Sequence, residues 1–184
     1  MRHMRYTSSF LLAALAFHGA AAQSPSPATP RAKPPAAAKL PPFSGTWILN
    51  SQRSKLIQRI SGESKAIIQY DGKSWHYIHS HQESPNEEPE QWQITLVVDS
   101  PQYKTVQGVD ITFHSRIARQ GNALLLTENG ETLHGQKIHN TVRYTLDNDG
   151  NTLTETETSV GPLGPQRNIY VLEREGSPQA TRLP

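Results

Sequence analysis

Between Ser44 and Glu173 apolar and polar residues alternate, in nearly every segment, with a period of two, and the segments are punctuated by Asp-Gly, Asn-Gly and Gly-Asn pairs. A period of two places successive side chains on opposite faces of an extended chain, whereas a helix needs apolar residues three and four apart. The pattern therefore commits the chain to successive antiparallel hairpins. Trp92, Ile94, Leu96 and Val98 oppose Gln91, Gln93 and Thr95, while Val109, Ile111, Phe113 and Ile117 oppose Asp110, Thr112, His114 and Arg116. Ile138, Val142, Tyr144 and Leu146 continue the apolar face, with Lys137, His139, Thr141 and Arg143 behind them. Strands are expected at Ser44–Asn50, Lys65–Tyr70, Lys73–His81, Gln91–Val98, Val109–Arg119, Ala123–Glu128, Gly135–Leu146, Thr152–Val160 and Gln166–Glu173. Asp71-Gly72 suits a two-residue type I′ turn, and Gln120-Gly121-Asn122 and Asp147-Asn148-Asp149-Gly150 suit longer reversals with positive-φ positions.

A sheet with one continuous apolar face must bury it. The one helical candidate, Ser51 to Ile60, offers only Leu56, Ile57 and Ile60 as an apolar edge, too little to cover eight or nine strands. The sheet must close on itself or fold over, so a barrel and a sandwich both satisfy the pattern. Nearest-neighbour hairpins favour the barrel, which also removes unpaired edges. The expected fold is all-β: a single antiparallel up-and-down β-barrel of about eight or nine strands with one short helix after the first strand. A barrel of that size is wide enough either to be filled by side chains or to hold one small molecule.

The ends of the chain have a different composition. Arg2 and Arg5, an apolar stretch from Phe10 to Phe17, and Ala20-Ala21-Ala22 have the layout of a secretory signal peptide over residues 1–22. The apolar stretch is far short of the roughly 20 residues a membrane-spanning helix requires, so no integral membrane segment is expected once the signal is removed. Residues 23–42 carry seven of the 14 prolines with Ala, Ser, Lys and Gln, a disordered tether too poor in large apolar groups to fold. The folded domain is expected at 43–176, followed by a disordered tail at 177–184. Six basic residues, Arg2, Arg5, Arg31, Lys33, Lys39 and Arg182, lie outside that domain, which keeps twelve basic side chains against sixteen acidic ones, a formal charge of −4. Nucleic acid is therefore not an expected partner, because phosphate binding needs clustered Lys and Arg on the folded surface. The chain of 184 residues has no cysteine. Disulfide frameworks, thiolate metal sites, thiol nucleophiles and a lipid-modified cysteine are all excluded.

The segment FSGTWILNSQRSKL, residues 43 to 56, resembles the opening of the calycin superfamily, the lipocalins and fatty-acid-binding proteins, whose first strand carries Gly-x-Trp. The later blocks QGNALLLTENGE, VRYTLDNDGNTLTETETSVGPLG and NIYVLERE resemble small secreted bacterial lipocalin-like proteins of no assigned role. The resemblance spans most of the domain. It implies that Gly45 and Trp47 are structural residues, the Trp packing across the closed end of the barrel and the Gly permitting close approach. It also implies a barrel that binds small hydrophobic molecules in a periplasmic or secreted protein. The fatty-acid-binding proteins hold a carboxylate with an inward-facing Arg-x-Tyr pair on the last strand. Here Arg167 and Tyr170 are three apart and point to opposite faces, so that clamp is absent.

Ligand contacts are expected from Trp75, Tyr77, His79, Trp92, Phe113 and Tyr144, aromatic residues on faces assigned inward. Ordinary core packing accounts for each of them equally well. His79 and His81 share a face about 7 Å apart, but a zinc site needs a third or fourth ligand, and His114 and His139 fall on outward faces. No metal and no cofactor are expected, and the two histidines are assigned to a barrel rim. Glu155 and Glu157, within Thr-Glu-Thr-Glu-Thr, are assigned to a solvated sheet face. No nucleophile elbow, phosphate loop or His-Glu-x-x-His is present, so the chain is not expected to be an enzyme. The function expected is a secreted lipocalin-like barrel that binds a small apolar or amphipathic molecule. The alternative is a filled barrel acting as an envelope structural or protein-interaction module.

Overall fold

The computed structural model describes residues 42–180 apart from Val109. The signal-peptide segment, the tether up to residue 41 and the last four residues of the tail lie outside the described residues. Ten strands follow one another: β1 Gly45–Leu49, β2 Glu63–Tyr70, β3 Ser74–Gln82, β4 Glu90–Val97, β5 Lys104–Gln107, β6 Ile111–Gln120, β7 Ala123–Thr132, β8 Lys137–Leu146, β9 Thr152–Gly161 and β10 Gly164–Arg174. They form one antiparallel sheet in the order β4-β3-β2-β1-β10-β9-β8-β7-β6-β5, in which β1 pairs with both β2 and β10. The sheet curls until its two edges meet. There Val98 bridges Ile117, the Asp99 amide donates to the Ile117 carbonyl at 3.0 Å, and Lys104 Nζ donates to the Thr95 carbonyl at 2.9 Å. The result is a nearly closed barrel with its apolar face inside. Between β4 and the β5–β6 hairpin the closure rests on these few contacts rather than on a ladder.

Three expectations are corrected. The strand count is ten: β5, with sequence KTVQ, has one half-buried apolar residue, Val106, and so carries no readable alternation. No α-helix occurs among the described residues, and Ser51 to Ile60 is an irregular strap across β10. Its backbone groups are taken by that strand instead of by a helical ladder. Lys55 and Ile169 exchange two backbone hydrogen bonds of 2.8 Å, Ser54 Oγ accepts from the Val171 amide, and Asn168 Oδ1 accepts from the Ile57 amide. The strap also buries Glu173 completely, where Arg53 pairs with it and the Thr152 hydroxyl donates to it at 3.0 Å. Finally, Asn129-Gly130 is not a turn but the interior of β7, opposite His139 and Ile138 of β8. Gly130 leaves room for Phe113 and Ile111; a Cβ at that position would sit 2.7 Å from Phe113 Cε1 and 2.9 Å from Ile111 Cδ1.

The closed end of the barrel is built on the Gly-x-Trp opening. Trp47 is fully buried, its indole N–H donates to the Phe43 carbonyl at 3.0 Å, and the Arg174 guanidinium lies over its ring at 4.2 Å. Arg174 also donates to the carbonyls of Ser44, Pro42 and Gly150, tying the entry to β1, the end of β10 and the β8–β9 turn into one knot. Gly45 makes room for it, since a Cβ would fall 2.5 Å from Arg174 Nη1. The close approach this glycine permits is thus that of an arginine side chain. Phe43, Tyr70 and Trp75 pack edge to face at 5.8 to 6.2 Å inside the same end. Just past β10, Ser177 is buried in a turn closed by its amide on the Arg174 carbonyl.

Gly62, at the entry to β2, has φ +71°, and a Cβ there would press on the Gln82 carbonyl and the Glu83 backbone, with Glu83 Cα at 2.7 Å. Backbone, unlike a side-chain tip, cannot give way cheaply, and the positive φ adds strain for any residue with a Cβ. Gly62→Ala is expected to destabilise the barrel by about 2 kcal/mol in urea unfolding. An unchanged midpoint would show that the β3–β4 loop does not hold this approach in solution.

Candidate functional site

Inside the barrel, alternate residues of each strand make layers. The layer at the closed end is solid: Trp47, Trp75, Ile117, Leu124 and Leu153 are at most 1% exposed. Toward the other end the filling stops, and a cavity of about 540 Å³ opens, its walls supplied by all ten strands, with Ser64 alone from β2, and by the β5–β6 corner. That volume is ordinary for a small-molecule site. A second depression of about 570 Å³ lies between β1, the start of β2 and the β3–β4 loop. Its walls are Asn50, Ser51, Gln52, Glu63, Gln82 and Glu83 among others, a polar groove lacking the aromatic walls of the lumen. The lumen is the candidate site.

Of the residues expected to contact a ligand, the structure brings five to this cavity: Tyr77 and His79 from β3, Trp92 from β4, Phe113 from β6 and Tyr144 from β8. Trp75 lies one layer deeper, outside the lining, packed between Phe43, Tyr70 and Tyr144. The rings run as a continuous series from the closed end to the mouth. Trp75 meets Tyr144 at 5.0 Å, Tyr144 meets Tyr77 at 6.1 Å, Tyr77 meets Trp92 at 5.3 Å and Trp92 stacks on His79 at 5.7 Å. Trp92 is the outermost, 53% exposed at the mouth. Leu49, Ile94, Leu126, Val142 and Leu172 complete the apolar wall.

The polar part of the lining was not legible as such, and here an assignment is reversed. Glu155 and Glu157 face the lumen, and the alternate Thr154, Thr156 and Thr158 do not line it. Glu155 is only 7% exposed, with the Tyr77 hydroxyl 3.2 and 3.4 Å from its two oxygens, a contact that spans the lumen from β3 to β9. Glu157 accepts from the Tyr170 hydroxyl at 3.0 Å and from Asn168 Nδ2 at 2.9 Å. Glu128 accepts from the Ser115 hydroxyl at 2.9 Å and from Asn140 Nδ2 at 3.0 Å. The signal for Glu155 and Glu157 was Leu153. It is buried in the solid layer, and side chains two and four residues further along the same strand share its face.

Loss of hydration sets the charge state of this interior. Burial pushes the Glu155 carboxyl up to about 8, with Glu157 adding to the rise and the Tyr77 hydrogen bond opposing it. Burial, then the neighbouring Glu155, holds the Tyr77 and Tyr144 phenols well above their ordinary range. Tyr170 is raised by burial and by Glu157. Burial, and then His81, lowers the His79 imidazole, whose Nε2 lies 2.9 Å from the Ser64 hydroxyl. Arg167 is exposed on the outer face opposite Thr158, and no Lys or Arg lines the cavity among the described residues. Nor do those residues hold a group of three or more His, Cys, Asp or Glu arranged for a metal ion. Hydrogen bonding, apolar packing and charge pairing are what the arrangement can offer a ligand.

No family model matches this chain, and a search of curated proteins finds no relative. Its fold, however, is similar to solved structures. Secretory abundant heat soluble protein 4 from Ramazzottius varieornatus superposes with a TM-score of 0.53 at 15% identity, over 72% of this chain and 94% of that one. The zebrafish ileal bile acid-binding protein, solved with cholic acid, superposes with a TM-score of 0.51 at 14% identity, over 72% of this chain and 98% of that one. Together with the antiparallel ten-stranded meander and its layered lumen, these similarities show an antiparallel β-barrel fold shared with both proteins.

Proposed function

We propose that this protein is a secreted lipocalin-like barrel that binds a small apolar or amphipathic molecule in its lumen. The observation that carries the reading is the cavity of about 540 Å³ above a solid aromatic layer, walled by Tyr77, Trp92, Phe113, Tyr144 and aliphatic side chains. Burying apolar ligand surface against such walls stabilises a complex by about 25 cal/mol per Å², less the cost of immobilising the ligand. A similar barrel, the zebrafish protein, is named for bile-acid binding and was solved with cholic acid, which fits the reading. Export rests on the basic, apolar and small-residue segments of residues 1–22, and the proline-rich stretch that follows would give the barrel reach. A periplasmic or extracellular location follows from that proposal.

Titration with the neutral fluorophore Nile red tests the binding reading. Saturable, one-to-one uptake with quenching of tryptophan emission is expected, and Trp92→Phe should remove most of the quenching, because Trp47 and Trp75 are sealed in the closed end. Nonsaturable or absent uptake would favour the filled barrel serving as a structural or protein-interaction module.

A further inference from the structure

We propose that the lumen is selective for lipophilic primary amines, the ammonium head group paired with Glu155 and Glu157 and the apolar tail laid against Trp92 and Phe113. The inference rests on the lumen being a ligand cavity and specifies what it takes.

The reason is an imbalance of hydrogen-bonding groups. Tyr77, Tyr170, Ser115 and the amides of Asn140 and Asn168 already donate to the three wall carboxylates. What is left over is acceptor capacity. Glu155, more than nine-tenths buried, has only the Tyr77 hydroxyl on its two oxygens, and once ionised beside an ammonium it accommodates about four donors. Asn140 Oδ1, also on the cavity wall, is shielded from solvent and has no donor among the described residues. A buried acceptor without a donor is destabilising, so a ligand bringing N–H groups relieves a penalty that an alkyl or carboxylate ligand leaves in place.

Charge points the same way. The titratable groups facing Glu155 are Tyr77 and His79 from β3, Glu128 from β7, Tyr144 from β8, Glu157 from β9 and Tyr170 from β10. Burial disfavours a cation on His79, and no fixed positive charge lines the walls among the described residues. An anionic head group would therefore find no countercharge in the walls. An ammonium would find an ion pair in a medium of low dielectric and, beside it, the ring of Tyr77 for cation–π attraction. With Glu155 held at about 8, the empty cavity carries that group protonated at neutral pH. Binding of an ammonium displaces the proton to solvent, so amine affinity rises with pH through that window.

The test compares dodecylamine, dodecanol and dodecanoate on the full chain by titration calorimetry, each below its micellar limit, from pH 6 to pH 8. The three probes share a tail, and the amine stays protonated throughout. At pH 8 dodecylamine is expected to bind at least tenfold tighter than dodecanol and at least a hundredfold tighter than dodecanoate. Its affinity should climb several-fold per pH unit while that of dodecanol stays level. Glu155→Gln should flatten the climb and shrink the amine-to-alcohol ratio by about tenfold, and Glu157→Gln should shrink the ratio as well. Dodecanoate equal to dodecylamine at pH 8, or an amine affinity level with pH and unmoved in both variants, would overturn the amine assignment while leaving the cavity reading intact. Binding of none of the three would overturn both.

Discussion

Replacing Trp47 with alanine is expected to lower the unfolding free energy by about 4 kcal/mol in a urea titration, the largest effect of any single truncation in the barrel. The side chain is fully buried, and three separate interactions end on it: the apolar contact of the solid layer, the indole hydrogen bond to the Phe43 carbonyl and the overlying Arg174 guanidinium. Truncation leaves an apolar void and an unsatisfied carbonyl, and it strips Arg174 of its platform. Trp47→Phe keeps most of the volume and should recover roughly half of the loss. An alanine variant within 1 kcal/mol of the parent would show that the closed end is not where the fold is anchored.

The second large effect is electrostatic. Burial raises the Glu155 carboxyl from its ordinary value of 4.5 to about 8 in the folded protein. A group raised in the folded state contributes its full stability below the unfolded pKa and loses it as pH climbs toward the folded value. Between pH 4.5 and pH 7 the loss amounts to about 3 kcal/mol, at about 1.4 kcal/mol per unit. Glu155→Gln keeps the shape and an acceptor for Tyr77 but removes the ionisation. The variant should match the parent near pH 4.5 and exceed it by about 3 kcal/mol at pH 7. Parallel stability curves for the two proteins would mean that the carboxylate is solvated in the cavity. A stabilising substitution in a ligand cavity is the usual mark of a site whose polar groups are kept for binding rather than for folding.

These two sites also separate what was readable from what was not. Ile94, Leu96, Ile117 and Val142 are apolar at the right parity, and their burial follows from the alternation. So does the inward position of Tyr77, Trp92, Phe113 and Tyr144, whereas Trp47 was expected from the resemblance. The carboxylates were misassigned because a glutamate in a period-two run is, without further context, a solvent-facing residue. Only the neighbouring Leu153 gave the parity, and only the barrel supplied the tyrosines that make burial tolerable. The strap was misassigned for a related reason. Ser51 to Ile60 has enough polar and apolar spacing for a short helix, but Asn168, Ile169 and Val171 of β10 offer its backbone better partners.

By itself the amino-acid order determined an antiparallel meander with one greasy face and the opposed positions of Arg167 and Tyr170, because each is a local matter of parity, turn chemistry or spacing; the Gly-x-Trp plug was implied by the resemblance of residues 43 to 56. Tertiary structure alone decided the rest: that the ring closes at ten strands through a few contacts between β4 and β6, that the solid core stops partway along the lumen, and that Glu128, Glu155 and Glu157 converge on the space left over. Those outcomes depend on which residues from strands far apart in sequence come to face one another across the lumen, and pairwise register along a strand carries no information about that.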